Sequence, residues 1–226
     1  MRLLLTISFA CLLVTNACAQ VYKYIDSRKI TSYNAYKKQI ALHPQKRLVK
    51  LKELVPGLVL DIRYATTNNF TKQKVYKKAE AYARQPVADA LKAIQAKLNK
   101  KGLGLKVYDA YRPYAVTVKF YEIATDTTYV ANPRKGSRHN RGCAVDVTLI
   151  NLKTGRELDM PTGYDSFTPQ ASANYSHLPF NKLNNRKLLR DVMERHGFKV
   201  YSSEWWHFDY TGWEKFELLD IPFEQL

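Results

Sequence analysis

The clearest periodicity in the chain spans residues 85 to 102. Val87, Ala90, Leu91, Ile94 and Leu98 recur at helical spacing, Pro86 suits the first turn, and Gly102 suits a left-handed stop. This pattern predicts an amphipathic helix. Directly after it, LGLKVYDAYRP (103–113) reads as a strand that must end by Pro113, with Arg112 at its mouth. A second helix is expected from Tyr114 to Ala124. In GCAVDVTLINL, Val145, Val147 and Leu149 fall on one face of a strand, and Ala144, Asp146 and Thr148 on the other. A carboxylate in the middle of a central strand needs a partner. A third helix follows in NKLNNRKLLRDVMERHGF, with Gly197 as its stop, and strands run through KVYSSEWWHFDY.

The remaining stretches are less regular. LVKLKELVPGLVLDIRYATTNNF (48–70) alternates around a Pro56-Gly57 turn and predicts two short extended runs, the second ending in a loop that carries Tyr64 and Asn68. MPTGYDSFTPQASANYSH (160–177) is too long and too polar for a plain connection, the kind of loop that often carries function. Elements in this order predict an α+β fold: one domain, with a central, mainly antiparallel sheet flanked by helices.

The first twenty residues, MRLLLTISFACLLVTNACAQ, change the picture of where the chain works. One Arg, an apolar run and small residues ending in Ala17-Cys18-Ala19 predict a secretory signal over residues 1–19 and an exported, periplasmic protein. Cleavage before Cys18, with a lipid anchor on that cysteine, is the alternative. Residues 20–50 then form a polar, Tyr-rich lead-in, and 51–226 a single domain. Loss of Cys11 and Cys18 with the signal leaves Cys143 as the one thiol, so no intramolecular disulfide is expected.

The formal net charge is +16, from 36 Lys and Arg against 20 acidic residues. These basic residues are scattered, and no nucleic-acid-binding module accompanies them. The charge fits a solvated face, or peripheral attraction to anionic envelope polymer or lipid, and no nucleic-acid partner is expected.

Of the five histidines, His139 and His207 have acidic company at useful spacing, Asp146 after the first and Glu204 before the second. Two imidazoles and a carboxylate are an ordinary set for catalytic zinc, which keeps a further position for water, and Glu204 would then be the base. In a regular strand residues 204 and 207 face opposite ways, so a shared site requires a turn or bend at Ser202-Ser203. The competing chemistry, a Cys143 nucleophile with a histidine base, is disfavoured because alternation puts that thiol on the apolar Val145 side. Spacing alone leaves the metal reading open.

Ser137-x-His139-x-x-Gly142-x-Ala144-x-Asp146, with Glu204-x-Trp206-His207, resembles the signature of zinc D,D-peptidases that act on peptidoglycan peptides. Within that group the chain is similar to the D-alanyl-D-alanine dipeptidases of the vancomycin-resistance type. The matching segments are RYATTNNFT (63–71), YDAYRPYAV (108–116), SRHNRGCAVDVTL (137–149), MPTGYDSF (160–167), NNRKLLRDVMERHGF (184–198) and SEWWHF (203–208). The resemblance implies one zinc ion per chain in a cleft on the sheet, held by His139, Asp146 and His207, with Glu204 as acid/base. It implies Arg112 at the oxyanion, and Tyr64, Ser137 (through its backbone) and Asp165 at the free amino group of D-Ala-D-Ala. A D,D- or L,D-carboxypeptidase acting on stem peptides is the enzymatic alternative, and a zinc-stabilised peptidoglycan-binding module the non-enzymatic one. The resistance enzymes act in the cytoplasm, so an export signal points instead to scavenging or turnover of wall-derived dipeptide. Cys143 also stands where the family usually has a small residue such as Ser.

Overall fold

The computed structural model describes residues 29–226; the expected signal segment, with Cys11 and Cys18, lies outside the described residues. In chain order the elements are α1 (Tyr33–Leu42), β1 (Leu48–Lys50), α2 (Leu51–Leu54), β2 (Val59–Leu60), β3 (Tyr82–Arg84), α3 (Gln85–Asn99), β4 (Leu103–Asp109), α4 (Tyr114–Ile123), β5 (Ala144–Asn151), α5 (Phe180–Glu194), β6 (Phe198–Tyr201) and β7 (Glu204–Tyr210). The main sheet runs in the order β2-β4-β5-β7-β6, with only β2 and β4 parallel, while β1 and β3 form a separate antiparallel pair. The fold is α+β with a mainly antiparallel central sheet, as the pattern of elements predicts.

β5 lies at the centre and is buried along all but its last residue. α3 packs on β4 and α5 packs on β5, β6 and β7. Leu91, Ile94 and Leu98 of α3 and Leu189 and Met193 of α5 are fully buried, which is the physical outcome of their helical spacing. Leu98, Leu188 and Val192 line a common crevice, so the two long helices are neighbours.

One stretch differs from expectation. Residues 51–54 wind into the short helix α2 instead of continuing an extended run. Leu51 and Val55 are both fully buried, and at four-residue spacing a helical turn carries both side chains to the same side. The lead-in is part of the same packed body from Ile30 onward. Ile30 bridges to Leu219, and buried Tyr36 of α1 accepts the Leu48 N–H at 2.7 Å.

Two irregularities in the ladders set up the cavity beside the sheet. The β4–β5 register slips between Val107 and Asp109, so that Asp109 stands opposite Asp146. The β6–β7 register slips at Tyr201, which pairs with Glu204 across the Ser202-Ser203 turn. Between β5 and β7 the register brings Asp146 directly across from His207.

The chain enters β5 through a short 3-10 turn, His139–Arg141, closed by Gly142 at φ +68°. A Cβ on Gly142 would meet Leu48 Cδ2 at 2.6 Å and the Arg84 backbone nitrogen at 3.3 Å. Arg84 N donates to Gly142 O at 3.0 Å, and its buried guanidinium donates to Arg141 O at 2.7 Å, to Glu217 O at 3.1 Å and to Lys46 O. Gly142→Ala should therefore destabilise the fold by about 2 to 5 kcal/mol, from left-handed backbone strain plus overpacking. Equilibrium unfolding in urea measures this, and an unchanged midpoint would contradict the close approach.

Candidate active site

All eight residues singled out from the sequence line one cavity of about 420 Å³: Tyr64, Arg112, Ser137, His139, Asp146, Asp165, Glu204 and His207. They arrive on separate elements. Asp146 comes from β5, His207 and Glu204 from β7, His139 from the turn before β5, Arg112 from just past β4, and Asp165 from the long polar loop.

The imidazoles are oriented from behind. His139 Nδ1 lies 2.7 Å from Ala110 O, and since a carbonyl only accepts, that nitrogen carries the proton. His207 Nε2 donates to Asp209 Oδ1 at 2.9 Å. This leaves the other two nitrogens, His139 Nε2 and His207 Nδ1, facing each other at 3.2 Å. Asp146 Oδ1 sits 3.4 Å from the first and 3.1 Å from the second, and receives no hydrogen bond otherwise. The three ligand atoms lie within 4.8 Å of one another.

Such an arrangement holds together only around positive charge. Burial works against ionisation of Asp146, yet His139 and His207 hold its carboxyl well below the ordinary carboxylate range. Burial likewise disfavours charge on His207, but Asp146 and Asp209 outweigh it and push its pKa well up. A proton or a metal ion meets the same demand. With two nitrogens and one carboxylate oxygen converging and their outer N–H groups already engaged, the donor set fits a metal.

Around this centre, Tyr164 donates to Asp146 Oδ2 at 2.9 Å and stacks on Tyr108 with centroids 4.6 Å apart. Glu204 Oε2 is 3.7 Å from His207 Nδ1, so the hairpin turn does bring residues 204 and 207 to one site. Burial raises the Glu204 pKa, partly opposed by His207. A carboxyl shifted upward holds and releases a proton nearer neutral pH.

Arg112 is buried, and its Nε and one terminal nitrogen donate to Asp109 Oδ2 at 3.0 and 2.7 Å. Asp109 Oδ1 accepts from Tyr76 OH and Ala110 N, each at 2.9 Å, so both oxygens of this carboxylate are used. Burial acts against charge on Arg112, and Asp109 more than restores it.

Asp165 adopts φ +58°, and its Oδ1 accepts from Tyr64 OH at 3.1 Å. Its Oδ2 is buried with no hydrogen-bond partner. Burial, reinforced by the charge of Asp146, pushes its pKa up to about 8. Ser137 uses its hydroxyl to accept the His139 N–H at 3.1 Å and its own N–H to bond Asn140 Oδ1 at 2.8 Å.

Cys143 is a buried thiol that touches Arg141 O at 3.5 Å, and burial pushes its pKa up to about 12 against the pull of Arg84 and Arg141. It does not line the cavity. Three supporting groups were not singled out from the sequence: Asp109, Tyr164, and Asn140, whose amide donates to Arg112 O at 2.9 Å and Thr117 Oγ1 at 2.8 Å. Asp109 and Tyr164 each sit beside a residue or segment that was singled out, but only the ladder slip and the loop path show where they point.

A family model described as D-Ala-D-Ala dipeptidase matches residues 44–221. The D-alanyl-D-alanine dipeptidase of Escherichia coli (strain K12) is 34% identical over 176 residues, covering 78% of this chain and 91% of its own. That of Enterococcus faecium is 32% identical over 178 residues, covering 70% and 88%. Among solved structures, the LdcB LD-carboxypeptidase superposes with a TM-score of 0.45 at 22% identity, over 74% of this chain and 69% of that one.

The raised carboxyl of Asp165 has a sign that can be checked. Above the ordinary carboxyl pKa of about 4 the unfolded chain has released this proton while the folded chain keeps it, so folding loses stability as pH rises toward about 8. Asp165→Asn suits the same positive φ and removes the titration. Its melting temperature should exceed the parent's by a margin that widens from pH 4 to pH 8. A margin independent of pH would contradict the buried, unpaired carboxyl.

Proposed function

Because the chain belongs to the D-Ala-D-Ala dipeptidase family of metallopeptidases, we propose that it hydrolyses free D-Ala-D-Ala with one zinc ion held by His139, Asp146 and His207. The observation that carries this reading is the convergence of His139 Nε2, His207 Nδ1 and one Asp146 oxygen, set in one cavity with Glu204 and Arg112. Two nitrogens and a carboxylate oxygen suit zinc among the common cations. Bound there, the ion would polarise the scissile carbonyl and make the attacking water more acidic.

The chain's own groups do the rest. Glu204 takes a proton from water and passes it to the leaving amine. Arg112 sets a fixed positive charge where the carbonyl oxygen becomes negative, and Asp109 holds its planar fork in place. Asp165 Oδ2, buried without a donor, accepts the substrate's ammonium, and Tyr64 steadies the same carboxylate. Ser137, whose hydroxyl accepts the His139 N–H and whose N–H bonds Asn140 Oδ1, offers that ammonium the second lone pair of its carbonyl, which already accepts the Asn140 N–H at 3.1 Å. The carboxypeptidase alternative fits less well. An N-acylated stem peptide would cover Asp165 and leave its carboxyl unpaired, a penalty that selects for a free amine.

The N-terminal sequence supports placing this activity outside the cytoplasm, on dipeptide released from the wall, either as a periplasmic enzyme or anchored through Cys18. The positive charge favours residence near anionic envelope polymers. No helix among the described residues is long and apolar enough to cross a membrane.

Glu204→Gln should keep a full equivalent of metal by elemental analysis while kcat falls by roughly 10²- to 10⁴-fold; undiminished turnover would remove Glu204 from the proton path. Asp165→Ala should raise KM for D-Ala-D-Ala far more than for its N-acetyl derivative. Equal effects on the two would count against an ammonium site.

A further inference from the structure

The cavity is larger than a substrate with two methyl side chains requires. At about 420 Å³ it falls within the size class that encloses drug-sized ligands. Much of its wall is apolar, formed by Phe70, Phe120, Tyr129, Val130 and Phe167. The rings are packed as a group: Phe70 and Phe120 have centroids 5.1 Å apart, Phe70 and Phe167 5.5 Å, and Tyr129 stacks on Phe167 at 4.8 Å with 13° between the planes.

This group leans on one end of the site. Tyr64, which donates to Asp165, packs against Phe120 at 4.6 Å and Phe70 at 6.1 Å, and Phe167 lies two residues beyond Asp165. Phe167 is 37% exposed, and Phe70 and Tyr129 are half-buried. No other part of the described chain covers them fully.

We infer that this aromatic wall is a subsite for the side chain of the N-terminal residue, and that the enzyme prefers D,D-dipeptides with an aromatic or large aliphatic residue there. The inference rests on the dipeptidase reading above. With the ammonium on Asp165 and the carbonyl beside Arg112, the first Cα is fixed between them. Its side chain begins one bond from the ammonium-bearing carbon, next to the rings around Asp165. A methyl group leaves most of that apolar surface uncovered, and a hydrophobic pocket with spare room has no means of rejecting a larger apolar group. The added contact is present in ground state and transition state alike, so it lowers KM and leaves kcat little changed.

The test uses the full, metal-loaded chain with D-Ala-D-Ala, D-Leu-D-Ala and D-Phe-D-Ala as substrates. D-Phe-D-Ala is expected to exceed D-Ala-D-Ala in kcat/KM by about tenfold or more, mainly through KM. Phe167→Ala, at a partly exposed ring, should shrink that ratio, and Phe167→Leu should restore most of it. A ratio of one or less, or a ratio that Phe167→Ala leaves unchanged, overturns the subsite while the dipeptidase reading stands. Absence of turnover with every dipeptide overturns both.

Discussion

Two imidazole lone pairs and a carboxylate oxygen, held within 3.1 to 3.4 Å of one another, repel unless positive charge lies between them. The rest of the structure enforces that unfavourable convergence. The antiparallel register of β5 and β7 sets Asp146 across from His207, the Gly142 turn folds His139 back over the same point, and Ala110 O and Asp209 fix which nitrogens face inward. A buried charge cluster of this kind gives little net stability by itself. Its support must therefore come from packing elsewhere, and β5, buried along all but its last residue, and the layer formed by α3 and α5 provide it.

The long polar loop is tied into this centre through adjacent residues with different tasks. Tyr164 bonds the free oxygen of Asp146, and Asp165 presents its own carboxyl beside Tyr64. One dipeptide unit of backbone thus touches the His139, Asp146 and His207 cluster through one residue and Tyr64 through the next. The stacking of Tyr164 on Tyr108 and its edge contact with Trp206, at 5.6 Å, pin that span to the sheet. Arg112 is held in a comparable way. The slip in the β4–β5 ladder turns Asp109 toward it, and Asn140 grips the carbonyl of Arg112 from the far side.

What was legible in the sequence is what depends on near neighbours along the chain. The Pro86 to Gly102 helix and the alternation of β5 report a face each, and those faces are buried as expected. The eight site residues were legible through motif resemblance, and they do line one cavity. Pairing partners were not legible, since periodicity says that a strand has an inner face but not which strand lies beside it. Leu51 and Val55 read as part of an extended run because either geometry makes both apolar positions useful, and only the surrounding core selects the helical turn. Asp109 carries no signal of its own in the sequence, because the register slip that aims it at Arg112 is a property of two strands together.

Cys143 lies between two members of the buried His139, Asp146 and His207 cluster in sequence, four after His139 and three before Asp146. A thiolate that reached the cavity would be the softest donor there and would draw thiophilic ions such as copper(I) in preference to borderline ones. Burial, with a pKa pushed up to about 12, keeps that sulfur protonated and turned into the protein interior. The backbone turn that aims His139 inward and the packing that hides its neighbour therefore leave this cavity lined by nitrogen and oxygen donors, with no sulfur among them.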